Sequence, residues 1–167
     1  HWDGYQAFSC DITDFLQEEN QLTVRATDDL RSCRMPYGKQ TLKRGGMWYT
    51  PVSGIWQSVW LENVPECYVN HLDIQTTLTT ATIRTTPALE GTVVLADGSR
   101  FPLVQGVAQV SPPDPQPWTP EAPTLYHFTL EAGDDRLESY FALRTLTTRV
   151  VDGIPRLCLN DKPYFFH

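Results

Sequence analysis

Between Cys67 and Arg149 apolar and polar residues alternate in short runs, each stopped by glycine, proline or an Asx-containing turn. Alternation with period two puts every second side chain on one face, so each run reads as a strand with one buried side. Strands are expected at residues 69–75, 80–85, 92–96, 101–105, 108–110, 126–131 and 137–144. Seven short strands at turn-punctuated spacing predict an immunoglobulin-like sandwich. Asp97-Gly98 marks a hairpin between two of the strands, and Asp152-Gly153 and Asn160-Asp161 bracket a further hairpin beyond Arg149. Residues 111–123 contain six of the 13 prolines. Proline has no amide to donate, so this stretch is an extended connection with Trp118 as its anchor. Threonines crowd residues 76–86, where β-branched side chains suit an exposed strand pair.

The first third of the chain is patterned differently. Leu22, Val24 and Ala26 alternate with Thr23, Arg25 and Thr27, and Val59 and Leu61 flank Trp60, so strands are expected at 22–27 and 59–61. Thr13 or Asp14 is placed to cap a single helical turn carrying Phe15 and Leu16 and ended by Asn20. Residues 29–47 have no periodicity and read as a long loop. Pro65 marks a boundary. The expected organisation is therefore a sandwich piece over 1–65, an immunoglobulin-like sandwich over 66–149 and a hairpin over 150–167.

Five Trp, seven Tyr and seven Phe with 41% hydrophobic residues allow a sizeable core. A formal net charge of −7 argues against nucleic acid as a partner, since a basic face would be required. No apolar run approaches the roughly 20 residues that span a bilayer, and no signal peptide is evident. Cys10, Cys33, Cys67 and Cys158 are too widely spaced for a zinc knuckle or a small secreted disulfide framework. They read as buried, reduced thiols, which points to a cytoplasmic protein. His1, His71, His127 and His167 show no metal-ligand spacing, and no phosphate loop or nucleophile elbow is present, so neither metal nor cofactor is expected. The acidic pairs Glu18-Glu19, Asp28-Asp29 and Asp134-Asp135 fall in turns or strand ends, where they read as solvated charges rather than catalytic carboxyls.

Residues 48–63, WYTPVSGIWQSVWLEN, carry a further signal. The run resembles the closing strands of the sugar-binding sandwich in glycoside hydrolase family 2, the family of β-galactosidases, β-glucuronidases and β-mannosidases. Matching pieces flank it in family order. Upstream are His1-Trp2-Asp3-Gly4-Tyr5, Asp11-Ile12-Thr13-Asp14, residues 20–25 and Tyr37-Gly38-Lys39-Gln40. Downstream are residues 118–126, 139–144 and 159–167. The resemblance implies an all-β chain: part of a jelly-roll-type, galactose-binding-like sandwich followed by an immunoglobulin-like sandwich. In that family two glutamates on a C-terminal TIM barrel do the chemistry, and a barrel needs roughly 250 residues. The chain is therefore expected to be a non-catalytic piece, with no catalytic residue of its own, of a retaining β-galactosidase-like enzyme. Its implied partners are a carbohydrate substrate, the enzyme's own barrel and a possible second copy of itself.

Within that resemblance Lys39, Gln40 and Trp48 are the substrate-binding candidates. Amide and ammonium groups bond sugar hydroxyls, and an indole stacks on a pyranose face. Five basic residues, Arg31, Arg34, Lys39, Lys43 and Arg44, gather in the same loop of an otherwise acidic chain. The plainer reading is a solvated loop against a neighbouring domain. Trp56 and Trp60 share a strand face and read as core packing in preference to a sugar platform, Trp118 as an anchor between domains, and Arg144 as a bridge between domains. A stand-alone carbohydrate-binding module and a structural sandwich pair are the rival functions.

Overall fold

The computed structural model describes residues 1–2, 4–29 and 38–165. The chain divides into two units, residues 1–61 and 62–167. Among the described residues, secondary structure is all-β apart from one 3-10 turn, Thr13–Phe15.

In the second unit, β1 (His71–Thr76), β2 (Ala81–Thr86) and β5 (Val107–Val110) form one antiparallel sheet in the order β1-β2-β5. A second sheet runs β4-β3-β6-β7, built from β3 (Gly91–Leu95), β4 (Arg100–Leu103), β6 (Tyr126–Ala132) and β7 (Asp135–Phe141). Their inward faces share one core. Ala81 and Ile83 on β2 and Ala108 and Val110 on β5 meet Val93 and Leu95 on β3, Leu103 on β4 and Phe128, Leu130 and Ala132 on β6. Every one of these alternates with a more exposed neighbour, which is the period-two pattern of the sequence turned into layers. Seven antiparallel strands divided three and four in this way make an immunoglobulin-like sandwich.

Local chemistry sets the strand ends. Thr77 and Thr80 close the β1–β2 hairpin, with the Thr77 hydroxyl accepting from the amides of Thr79 at 3.1 Å and Thr80 at 2.9 Å. Between β3 and β4 the Gly98 amide donates to the Leu95 carbonyl at 2.9 Å, and Gly98 takes a left-handed φ of 88°. That is the three-residue hairpin loop with its bulge, tightened by the Ser99 amide donating to the Asp97 carboxylate at 2.8 Å. Pro102 is tolerated within β4 because β4 is an edge strand. Residues 111–123 form no strand and cross from β5 to β6, that is, from one sheet to the other.

A third antiparallel sheet follows, β8 (Leu146–Val151), β9 (Ile154–Leu159) and β10 (Lys162–Pro163), in the order β10-β9-β8. Asp152 and Gly153 at φ 52° and 75° turn β8 into β9, and Asn160 and Asp161 at 51° and 65° turn β9 into β10. Two consecutive positive φ values are what a two-residue hairpin turn demands, and Asx and glycine tolerate them best.

The first unit departs from expectation. Residues 22–27 and 59–61 form no strand among the described residues. A period-two pattern supplies a face, but a strand exists only with a partner. Two isolated bridges, Gln40 with Tyr49 and Gly45 with Trp48, are the β pairing described there. The helical turn at Thr13–Phe15 is capped by neither Thr13 nor Asp14; the Asp11 carboxylate accepts the Thr13 amide at 2.9 Å instead. Asn20 does close the segment, accepting the Gln17 amide at 2.8 Å and donating to the Gln17 carbonyl at 2.6 Å.

Candidate functional site

The substrate-binding candidates lie on one small loop structure. The Tyr49 amide donates to the Lys39 carbonyl at 2.9 Å and the Thr41 amide to the Tyr49 carbonyl at 3.0 Å, so residues 39–41 run beside Tyr49. Trp48 turns back on Gly45 through amide–carbonyl bonds of 3.1 and 3.3 Å, and Gly45 and Gly46 hold the positive φ values this turn requires. Lys39, Gln40 and Trp48 are therefore brought within a few residues of one another around a common turn. Trp48 is 45% exposed. The Gln40 side-chain oxygen, however, accepts the Val52 amide at 2.6 Å, so half of that carboxamide holds the loop in shape. Arg31 and Arg34, together with Cys33 and Tyr37, lie outside the described residues.

Trp56 and Trp60 do not fill a core. They are 65% and 68% exposed, and no sheet forms among the described residues of the first unit to bury them. The Trp56 indole N–H donates to the Gly4 carbonyl at 2.6 Å and its ring tilts against Tyr5 at 6.2 Å. Ser53 donates to the Asp28 carboxylate at 2.9 Å, which accounts for one of the acidic pairs. A second is accounted for by Asp135, which accepts the Val69 amide at 2.8 Å.

Trp118 and Arg144 both act inside the second unit. The Arg144 guanidinium stands 5.0 Å from the centre of the Trp118 ring, and the Trp118 amide donates to the Leu143 carbonyl at 2.8 Å. Of the described cysteines only Cys158 is buried; Cys10 and Cys67 are exposed, and all three are free thiols. Cys10 and Cys67 sit in segments without a ladder, so the burial expected of them does not arise.

One feature of the sandwich was not anticipated. A cleft of about 280 Å³ on the outer face of β3, β6 and β7 is lined by Val94, His127, Thr129, Glu138 and Tyr140 among others. His127 and Tyr140 are directly opposite in the β6–β7 register, with ring centres 5.7 Å apart. The signal was available in principle, since both are aromatic residues at outward positions of alternating strands. The register that makes them neighbours was not.

Among the described residues, two carboxylates have pKa values held below the ordinary one. Hydrogen bonds from the hydroxyl and then the amide of Thr13 lower Asp11, and those from the amide and then the hydroxyl of Ser99 lower Asp97. A general acid needs the opposite shift. Both are turn-forming carboxylates. No group of three or more His, Cys, Asp or Glu among the described residues is arranged to hold a metal ion.

No family model matches the chain, and no curated protein matches it. Solved structures do. A β-glucuronidase of Faecalibacterium prausnitzii aligns over 61% of the chain at 24% identity and a TM-score of 0.47, and a β-glucuronidase of an uncultured Clostridium species over 61% at 18% and 0.44. A β-D-glucuronidase of Dictyoglomus thermophilum aligns over 62% at 20% identity and a TM-score of 0.42. The matched region spans 18% of the first of these proteins and 19% of each of the other two.

Proposed function

We propose that this chain is a non-catalytic sandwich region of a glycoside hydrolase that removes a terminal β-linked sugar with retention, a β-galactoside being the first substrate to test. Residues 1–61 belong, in this reading, to a sugar-binding sandwich, and 62–167 to an immunoglobulin-like sandwich with a hairpin lead into a barrel. The observation that carries it is the order of the sequence pieces at 48–63, 118–126, 139–144 and 159–167, with the seven-stranded sandwich lying between the first and the last. A retaining mechanism needs two carboxyl groups about 5–5.5 Å apart, and the reading assigns both to the barrel. The sandwich region contributes placement, with Lys39, Gln40 and Trp48 reaching the sugar.

The test compares the isolated chain with the full open reading frame from which it comes. Nitrophenyl β-galactoside, β-glucuronide and β-mannoside should be turned over by the full protein and not by residues 1–167. Turnover by the isolated chain, or a reading frame that encodes no barrel, refutes the reading.

A stand-alone carbohydrate-binding role is favoured by one observation, the exposure of the indoles of Trp48, Trp56 and Trp60. Glycan-array binding by the isolated chain, lost on Trp48→Ala, would select it over the first.

A further inference from the structure

The third sheet leaves the sandwich through residues 142–145, and three consecutive residues of that link are tied to three different elements. The Leu143 carbonyl accepts the Trp118 amide at 2.8 Å from the proline-rich crossing. The Arg144 carbonyl accepts the Thr76 hydroxyl at 2.8 Å from the end of β1. The Thr145 amide donates to the Asn160 side-chain oxygen at 3.1 Å, and the Thr145 carbonyl accepts the Asn160 amide at 2.9 Å. The remaining half of the Asn160 carboxamide donates to the Trp118 carbonyl at 2.9 Å.

Apolar packing covers one side of this seam, where Leu143, Cys158 and Leu159 are buried, and leaves the other side open. A cleft of about 420 Å³ lined by Gln75, Thr76, Arg144, Thr145, Leu146 and Thr147 lies between the end of β1 and the start of β8. The buried hydroxyls of Thr145 and Thr147 have no partner in the structure and add no tie. On the open side, orientation rests on directional bonds, and hydrogen bonds fix direction where apolar contact, being non-directional, does not. Asn160 is placed to do this because its side chain has both a donor and an acceptor. One engages the crossing, the other the link.

We infer that the Asn160 carboxamide is a clasp that fixes the direction in which the third sheet leaves the sandwich, so that the two move as one body. The inference is independent of any catalytic role. It separates two properties of Asn160 that coincide in the fold: a left-handed backbone, φ 51°, which makes the β9–β10 turn, and a side chain that spans the seam. Glycine keeps the first and removes the second.

Backbone residual dipolar couplings on the full chain provide the test. In the wild type, one alignment tensor should fit the amides of β2, β3 and β6 together with those of β8 and β9. In Asn160→Gly the third sheet should keep its own hairpin couplings but lose the common tensor. Asn160→Asp retains the acceptor for Thr145 and sets a carboxylate oxygen against the Trp118 carbonyl, so it should also lose the common tensor, while the Thr145 amide shift is retained. A single tensor in Asn160→Gly, or separate tensors already in the wild type, overturns the inference.

Discussion

A methyl group at Gly91 has nowhere to go: a Cβ built there would lie 2.1 Å from the Glu131 carbonyl oxygen and 2.9 Å from the Ala132 Cα, both backbone atoms of β6. Gly106 is confined twice over. Its φ of 74° is left-handed, and a Cβ would meet the Ala88 Cα at 2.7 Å. Forcing side chains into packed backbone costs about 1–3 kcal/mol, so Gly91→Ala and Gly106→Ala should each lower the urea midpoint by that order of stability. Gly4→Ala, with open space around it, should change it by less than about 0.5 kcal/mol. Equal shifts for all three would show that the close approaches are not felt. Asp97 offers a pH readout at the same scale. Its pKa is lowered in the folded chain, so its support of the hairpin loop is complete above the ordinary value of 3.8 and fades as the pH falls through the lowered one. Ser99→Ala removes the hydroxyl but keeps the amide donor, and should raise the Asp97 carboxyl titration, read by carbon NMR, part of the way back. An unmoved titration would remove the hydroxyl from the account.

Strands, unlike residues, depend on partners, and this decides how much of the chain its sequence discloses. The seven sandwich strands were legible because each carries a period-two face, and their hairpins at Thr77 to Thr80 and Asp97-Gly98 close on local chemistry, as do Asp152-Gly153 and Asn160-Asp161 in the third sheet. The alternation at 22–27 is just as regular and yields no strand. No described neighbour pairs with it, and pairing is a nonlocal fact. The same limit governs the site. That Lys39, Gln40 and Trp48 share one loop could be read from proximity in the chain, but the use of the Gln40 oxygen on Val52 could not. Nor could His127 be set opposite Tyr140 before the register was known. A matched pair of truncations turns this difference into a measurement. Ile83→Ala opens a cavity in a fully buried site and should cost about 2–5 kcal/mol in the unfolding of the sandwich. Leu22→Ala, at a side chain 57% exposed, should leave that transition within about 0.5 kcal/mol. A comparable loss from Leu22→Ala would mean that 22–27 is packed after all.

Across the whole molecule, every buried apolar side chain among the described residues belongs to residues 62–167. Residues 1–61 keep Trp2, Phe15, Val52, Trp56 and Trp60 largely in water, and the amides of 22–27 enter no ladder. Exposed apolar patches and unpaired strand-like segments are the two features that draw polypeptides together. The two units should therefore answer hydrogen exchange differently. Core amides of β2, β3 and β6 should exchange only through global opening, and those of 22–27 at rates close to an unstructured chain when dilute. With rising concentration the scattered mass should grow beyond that of one chain, and protection at 22–27 should appear in step with it, because a second copy or another polypeptide then supplies the missing partner. Val24→Lys puts a charge in the middle of that segment and should reduce the association without shifting the sandwich transition. A chain that stays monomeric at every concentration, yet protects 22–27 as well as it protects β6, would show that residues 1–61 close on themselves.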